Sequence, residues 1–337
     1  MTLCAAWIRE INSREELVSA TDSSLTGGEK WNQGVKLFEL PRPDCLICFA
    51  GETSRAYPLI LNLISSIKLD RRLRSPRTDI EEVLSYLASL FTALVGTIVN
   101  EIQGLDIHDL RAGAKFLFGG WSWLESRFRF WQLYYSKDAE GFIFKECTDE
   151  PNKNRIYTFL GDPEELVDTA TKTYKRLIFD DDIQDDKMDM EPLQILIKMS
   201  RDKSIRTVDG AIQIAKVYKS GTSEFFGINW PSSKGKPHFL GRSFVPHSKP
   251  DVRYFDPDTL ILIEDKLPTV IDDLTRFSHL EDFDFIQTCY GEDGSLSTAL
   301  SDLDRERLIY VFREAAYQRF VDNMQNDIAQ DHRPGEA

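Results

Sequence analysis

No stretch of this chain reaches the roughly eighteen continuous apolar residues that a membrane-spanning helix needs, although the chain is 337 residues long and 42% hydrophobic. The longest candidate, VLSYLASLFTALVGTIV (Val83–Val99), is interrupted by Ser, Thr and Gly and flanked by Glu81, Glu82 and Glu101, so it reads as a buried helix. No basic segment precedes the first apolar run, as a secretory signal would require, and the predicted localisation is cytoplasmic. A basic surface is missing as well. Lys and Arg number 41 against 55 Asp and Glu, a formal charge of −14, which argues against nucleic acid or an anionic membrane as a partner. Cysteine is sparse and odd in number. Cys4, Cys45, Cys48, Cys147 and Cys289 form no disulfide framework and read as reduced thiols. Cys45 and Cys48 make a C-x-x-C inside the apolar run DCLICFAG, with no second pair at metal spacing, so no metal and no cofactor is expected. His238, His247 and His279 lie scattered in polar segments without an H-E-x-x-H; a hydrolase site built on them is the weakest reading, and surface positions are expected.

What is present is an ordered succession of periodicities. TLCAAWIRE, EELVSATDS, VKLFEL (Val35–Leu40) and CLICFAG (Cys45–Gly51) read as four strands joined by short connections, which favours antiparallel pairing. ETSRAYPLILNLISSIKLDRRL and SPRTDIEEVLSYLASLFTALVGTIVNEIQG then read as helices, the second with Thr78 as its cap and Glu81 completing a capping box. Four further strands follow, AKFLFGGWSWL, RFRFWQLYYSK, GFIFKEC and RIYTFLG, with DAEG as a hairpin turn between the second and third. Two more helices flank FDDDIQDDKMDM, an acidic loop without calcium-site spacing, and the hairpin AIQIAKVYKSGTSEFFGINW closes this portion near Trp230. Two antiparallel sheets packed face to face, with a helix pair outside each, would bury every apolar face, so the predicted fold is an α+β four-layer αββα sandwich. Residues 1–230 form the expected main domain. Residues 231–325 read as an extension ending in the amphipathic helix DLDRERLIYVFREAAYQRFVDNM, and residues 326–337 as a disordered tail.

The first strand begins at residue 2, where chain ends are normally loose unless something holds them. TLCAAWIR, ATDSSLTGG, the lysine of VKLFEL, CFAGETSRAY and VDGAIQIAKVYKSG follow one another in an order and spacing that resembles a proteasome β-type subunit of the N-terminal nucleophile (Ntn) hydrolase family, over about residues 2–230 and with an atypical C-terminal extension. The resemblance implies an Ntn hydrolase fold and a threonine-type amidohydrolase, a proteasome-like peptidase, in which Thr2 becomes the nucleophile once Met1 is removed. A hydroxyl is a poor nucleophile without a base. A free α-amine, with an ordinary pKa of about 7.7–8.0, can be that base at neutral pH.

By the same resemblance Lys36 lies beside the threonine hydroxyl, Asp22 orients Lys36, and the Gly51 N–H stabilises the oxyanion. Three features depart from the family pattern: Ser24 stands where the family has arginine, the family's Asp-x-x-Ser-Gly has no clear counterpart, since Asp209-Gly210 in SIRTVDG does not fall at matching positions, and Gly161-Asp162 stands for a Gly-Ser pair. The implied partners are a peptide or protein substrate, further copies of the chain in a homo-oligomer, and an unfoldase or regulatory protein. The competing reading is a non-catalytic structural or partner-binding subunit of the same fold, with Thr2 merely a strand residue.

Overall fold

The structure, a computed structural model, describes residues 2–11, 14–27, 29–101, 103–148, 155–180, 188–244, 250, 252–263, 267–291, 293–301, 304–305, 307–309 and 311–312. It divides into two compact units, Met1–Ile263 and Glu264–Ala337.

The first unit opens with β1 (Thr2–Ile11) and β2 (Arg14–Thr21), passes through the short β3 (Leu25–Thr26) and β4 (Lys30–Trp31), and continues with β5 (Leu37–Glu39) and β6 (Cys45–Gly51). Helices α1 (Thr53–Leu69), α2 (Arg71–Arg74), α3 (Ile80–Gly96) and α4 (Ile107–Arg111) follow, then β7 (Ala114–Ser122), β8 (Arg127–Ser136), β9 (Gly141–Glu146) and β10 (Tyr157–Asp162). The remainder is α5 (Glu164–Asp180), α6 (Glu191–Arg201), β11 (Gln213–Tyr218), β12 (Ser223–Trp230), β13 (Lys236–Phe239), β14 (Arg242–Ser243), β15 (Tyr254–Phe255) and β16 (Leu262–Ile263).

These strands make a mixed α/β chain with two large sheets. One runs β5-β6-β7-β8-β9 and is antiparallel throughout. The other runs β10-β1-β2-β11-β12-β13-β14, with β15 and β16 attached through β12. Its pairings are antiparallel except for β15, which lies parallel to β12. The four strands expected to pair antiparallel form two antiparallel pairs in different sheets, β1 with β2 in one and β5 with β6 in the other. The glycine-bearing connection after Asp22, with its own β3–β4 hairpin, carries the chain from one sheet to the other.

Three clusters explain why β6 and the Leu3–Ile8 stretch of β1 are apolar at successive positions rather than at alternate ones. Strands covered on both faces lose the polar alternation of half-exposed sheets. On β6, Cys45, Ile47 and Phe49 face a cluster with α1 and α3 residues such as Leu63, Leu87 and Phe91. Leu46, Cys48 and Ala50 face a second cluster, shared with Cys4 and Ala6 of β1, Leu17, Phe130 and Val217. Leu3, Ala5 and Trp7 of β1 point the other way, onto Tyr174 of α5 and Leu193 and Leu196 of α6.

Two local expectations change. Thr78 does not cap α3; Asp79 does, its carboxylate accepting from Glu81 N at 3.2 Å, while the Thr78 hydroxyl donates to Arg72 O of α2 at 2.7 Å. A carboxylate outcompetes the neighbouring hydroxyl because it also accepts from Ser122 Oγ and Leu124 N. The single first helix is split at Asp70, whose side chain caps α2.

The second unit has its own core, in which Ile271, Phe277 on a 3₁₀ turn (Leu274–Phe277), and Ile286 and Cys289 of α7 (Phe283–Cys289) gather with Leu308 and Val311. Most of the acidic loop, most of the expected C-terminal helix and the whole tail lie outside the described residues.

Candidate active site

Thr2 is the first residue of β1, paired on one side with Asp162 of β10, and only 1% exposed. Asp22 follows the last residue of β2, and Lys36 directly precedes β5; both are fully buried. The site therefore forms where two strands of one sheet meet the entrance of the other.

The Lys36 ammonium donates to Thr2 Oγ1 at 2.7 Å and to both Asp22 oxygens, Oδ1 at 3.1 Å and Oδ2 at 3.0 Å. The Asp22 carboxylate also accepts from Leu3 N at 3.1 Å and Ser24 N at 2.9 Å. A buried charge survives only when paired and hydrogen-bonded, and here each carboxylate oxygen has one ammonium and one backbone partner. The Thr2 hydroxyl accepts rather than donates in this contact, so its own proton is free to leave toward a base while the ammonium remains to stabilise the oxygen.

Gly51 closes β6 with φ +108°, and a Cβ there would lie 2.4 Å from Gly113 O, so the turn into α1 admits glycine alone. Cys4 Sγ donates to Phe49 O at 3.1 Å. That contact joins β1 to β6 two residues from Thr2 and two from Gly51.

The departures from the family pattern also have places. Ser24 is fully buried, with its N–H on Asp22 and its Oγ without a hydrogen-bond partner among the described residues. Asp209 is committed elsewhere: its carboxylate accepts from Lys30 Nζ and from Gly210 N at 2.7 Å. Burial works against ionisation of that carboxyl, but Lys30 and the Gly210 amide prevail and hold it below the usual carboxylate range. Only the Asp209 carbonyl reaches the site region, accepting from Ser23 N at 3.2 Å. Asp162 is exposed beside Thr2 in the β ladder.

Gln213 had no signal in the sequence, yet its side-chain amide reaches the backbone of both Asp22 and Lys36. Its partners are main-chain groups on distant segments, which no residue pattern announces.

The C-x-x-C does not converge. Cys45 faces the helices and Cys48 the opposite cluster, because residues three apart on a strand point to opposite sides. Burial pushes the thiols of Cys4 and Cys45 well up. Among the described residues no group of three His, Cys, Asp or Glu is placed to hold a metal ion. His238 is half-buried against Lys236 O, with burial lowering its pKa, His279 is exposed, and His247 lies outside the described residues. No helix among them is long and apolar enough to cross a membrane.

No protein-family model matches this chain, and no curated protein does. Similar solved structures are Anbu (ancestral beta-subunit) from Yersinia bercovieri, 18% identical over 66% of this chain and 86% of that one, with a TM-score of 0.43. Anbu from Hyphomicrobium sp. strain MC1 is 16% identical over 66% of this chain and 86% of that one, and its Gly-1 mutant 16% over 67% and 87%, both at a TM-score of 0.43. This corrects the family expected from the sequence. The similar structures are Anbu proteins, proteasome-like but distinct, and not proteasome β-type subunits. Likeness at this level carries no argument about the site, which stands on its own geometry.

Proposed function

We propose that this chain is a threonine-type amidohydrolase, acting on peptide or other amide bonds through an acyl-enzyme at Thr2. The observation that carries the reading is the 2.7 Å contact between the buried Lys36 ammonium and Thr2 Oγ1. The supporting frame is a four-layer sandwich, which the three separate apolar clusters favour. Residues 1–230 would hold every catalytic group, and those beyond would serve other ends.

In this reading residue 1 is removed and the freed Thr2 amine takes the proton from Oγ1. Oγ1 bonds to the carbonyl carbon, and the negative charge moves to the carbonyl oxygen, where the Gly51 N–H would receive it. Lys36 stabilises the attacking oxygen and Asp22 keeps the lysine in place. The C–N bond then breaks, the leaving amine takes the proton from the Thr2 ammonium, and water hydrolyses the ester.

The test is covalent. An epoxyketone or boronate should modify the amino-terminal threonine, read by intact mass and peptide mapping, and Thr2→Ala should lower hydrolysis by about 10⁴-fold or more. Undiminished hydrolysis in Thr2→Ala ends the proposal.

A second reading, a non-catalytic subunit, draws on two observations. Thr2 is as buried as a structural strand residue, and the Asp209 carboxylate is spent on Lys30 and Gly210 instead of a terminal amine. Terminal sequencing decides cheaply, because a retained Met1 leaves Thr2 without a free amine. Self-association belongs to both readings, with Trp123 and Leu124 exposed between β7 and β8 as apolar contact surface; a purely monomeric mass in analytical ultracentrifugation removes it.

A further inference from the structure

We infer that Gln213 is a positioning residue for this site: its amide fixes the backbone from which Lys36 reaches Thr2. The inference rests on the reading of Thr2 as a nucleophile and adds to it a residue that touches neither Thr2 nor the ammonium.

Gln213 opens β11, opposite Thr21 of β2, and is fully buried. Burying a primary amide is costly unless it is hydrogen-bonded. Here all of its capacity is used. Oε1 accepts from Lys36 N at 3.0 Å and Leu37 N at 3.2 Å; Nε2 donates to Gly34 O at 2.7 Å and Asp22 O at 3.3 Å. Two N–H groups on one side and two carbonyls on the other leave a single sensible orientation of the amide.

The consequence is mechanical. One side chain of β11 holds the end of β2, where Asp22 sits, and the segment 34–37 that enters β5 in the other sheet. Lys36 O in turn accepts from Phe49 N of β6 at 3.3 Å. The backbone of Lys36 is thus held at its N–H by one sheet and at its carbonyl by the other. A lysine carries its charge on a flexible four-carbon stem, so a fixed Cα and the Asp22 carboxylate together define where the ammonium lies. Displacements of about 1 Å at such a group cost about 100-fold in rate.

Glutamine is the residue the arrangement requires. Leucine of similar size would orphan two N–H groups and two carbonyls. Glutamate, when ionised, would set an oxygen against the carbonyls of Gly34 and Asp22, and only its protonated form restores one donor.

The experiment uses the full chain and follows acylation of Thr2 by an epoxyketone through intact mass, between about pH 5 and pH 9, for wild type, Gln213→Leu and Gln213→Glu. Gln213→Leu is expected to react about 10- to 100-fold more slowly, with a displaced pH profile. The rate of Gln213→Glu relative to wild type should recover as pH falls and the carboxyl protonates. Gln213→Leu reacting at the wild-type rate with the wild-type profile overturns the inference, as does a Gln213→Glu ratio that is flat with pH.

Amide exchange in unmodified protein covers the case in which the variants do not fold. Lys36 and Leu37 amides protected like those within β11 support the clamp, and exchange at the rate of an exposed loop overturns it. Wild type that is never acylated refutes the nucleophile, an outcome separate from the amide-exchange result.

Discussion

Two ion pairs among the described residues of the first unit are almost completely withdrawn from water, and they end differently. Arg42 and Asp44 are two residues apart and bonded through both ends of the guanidinium, Nε to Oδ1 at 2.7 Å and Nη2 to Oδ2 at 2.6 Å. Arg42 also donates to Leu73 O within α2 and to Thr78 O just before α3. All four of these bonds end on atoms with no chemistry to perform. Lys36 and Asp22 flank strands of different sheets, and the ammonium has one further contact, which falls on a hydroxyl. Burial of charge alone does not mark a site; what distinguishes the second pair is a reactive atom at its open end.

The comparison can be broken by removing one cation at a time. Lys36→Met should have the largest effect, slowing acylation of Thr2 by about 10²–10³-fold and destabilising the fold by about 3–5 kcal/mol because the buried Asp22 carboxylate loses its ammonium and keeps only backbone N–H partners. Arg42→Met should cost a similar 3–5 kcal/mol in urea unfolding while leaving the acylation rate per folded molecule unchanged. A rate loss in Arg42→Met equal to that of Lys36→Met would erase the distinction. Gly51→Ala comes next. The strain of a side chain at φ +108° against Gly113 O should cost about 1–3 kcal/mol, and thermal unfolding would register it as a lowered midpoint.

The smallest effect is a partly exposed contrast to both buried pairs. The Glu224 carboxyl is opposed by burial, yet Arg253 and the Tyr218 hydroxyl hold it below the ordinary glutamate value. A depressed carboxyl contributes stability above its unfolded pKa of about 4.3 and loses it as pH falls through the folded value. About a third of each partner is solvent-exposed, so Arg253→Ala should cost no more than about 1 kcal/mol at neutral pH. That cost should shrink toward about pH 3; urea midpoints at both pH values give the comparison, and a cost that does not change with pH removes the carboxylate as its source.

Much of this was legible in the residues, for identifiable reasons. The resemblance to the proteasome-like pattern picks out Thr2, Asp22 and Lys36, and the Thr2 and Asp22 side chains lie within hydrogen-bond distance of the Lys36 ammonium. β1 and β6 announced double burial by lacking any polar alternation. What stayed hidden was long-range. That β2 and β5 belong to different sheets depends on the path after Asp22, which reads simply as a glycine-rich turn. Gln213 bonds backbone carbonyls and amides on segments up to 191 residues away, leaving no trace in side-chain spacing. Thr78 lost its capping role to Asp79 because Ser122 and Leu124 arrive from a distant hairpin. The family expectation went astray because it rested on short fragments whose order and spacing do not by themselves identify a family.

Strand β6 carries alternate side chains into two different apolar clusters and has a hydrogen-bonded neighbour on each side. A single residue added or lost between Cys45 and Gly51 would exchange Phe49 for Cys48 across the sheet, and move the glycine that must accept the sharp turn into α1. Length is therefore frozen along these seven positions. Drift there can proceed only by paired changes of volume across a face.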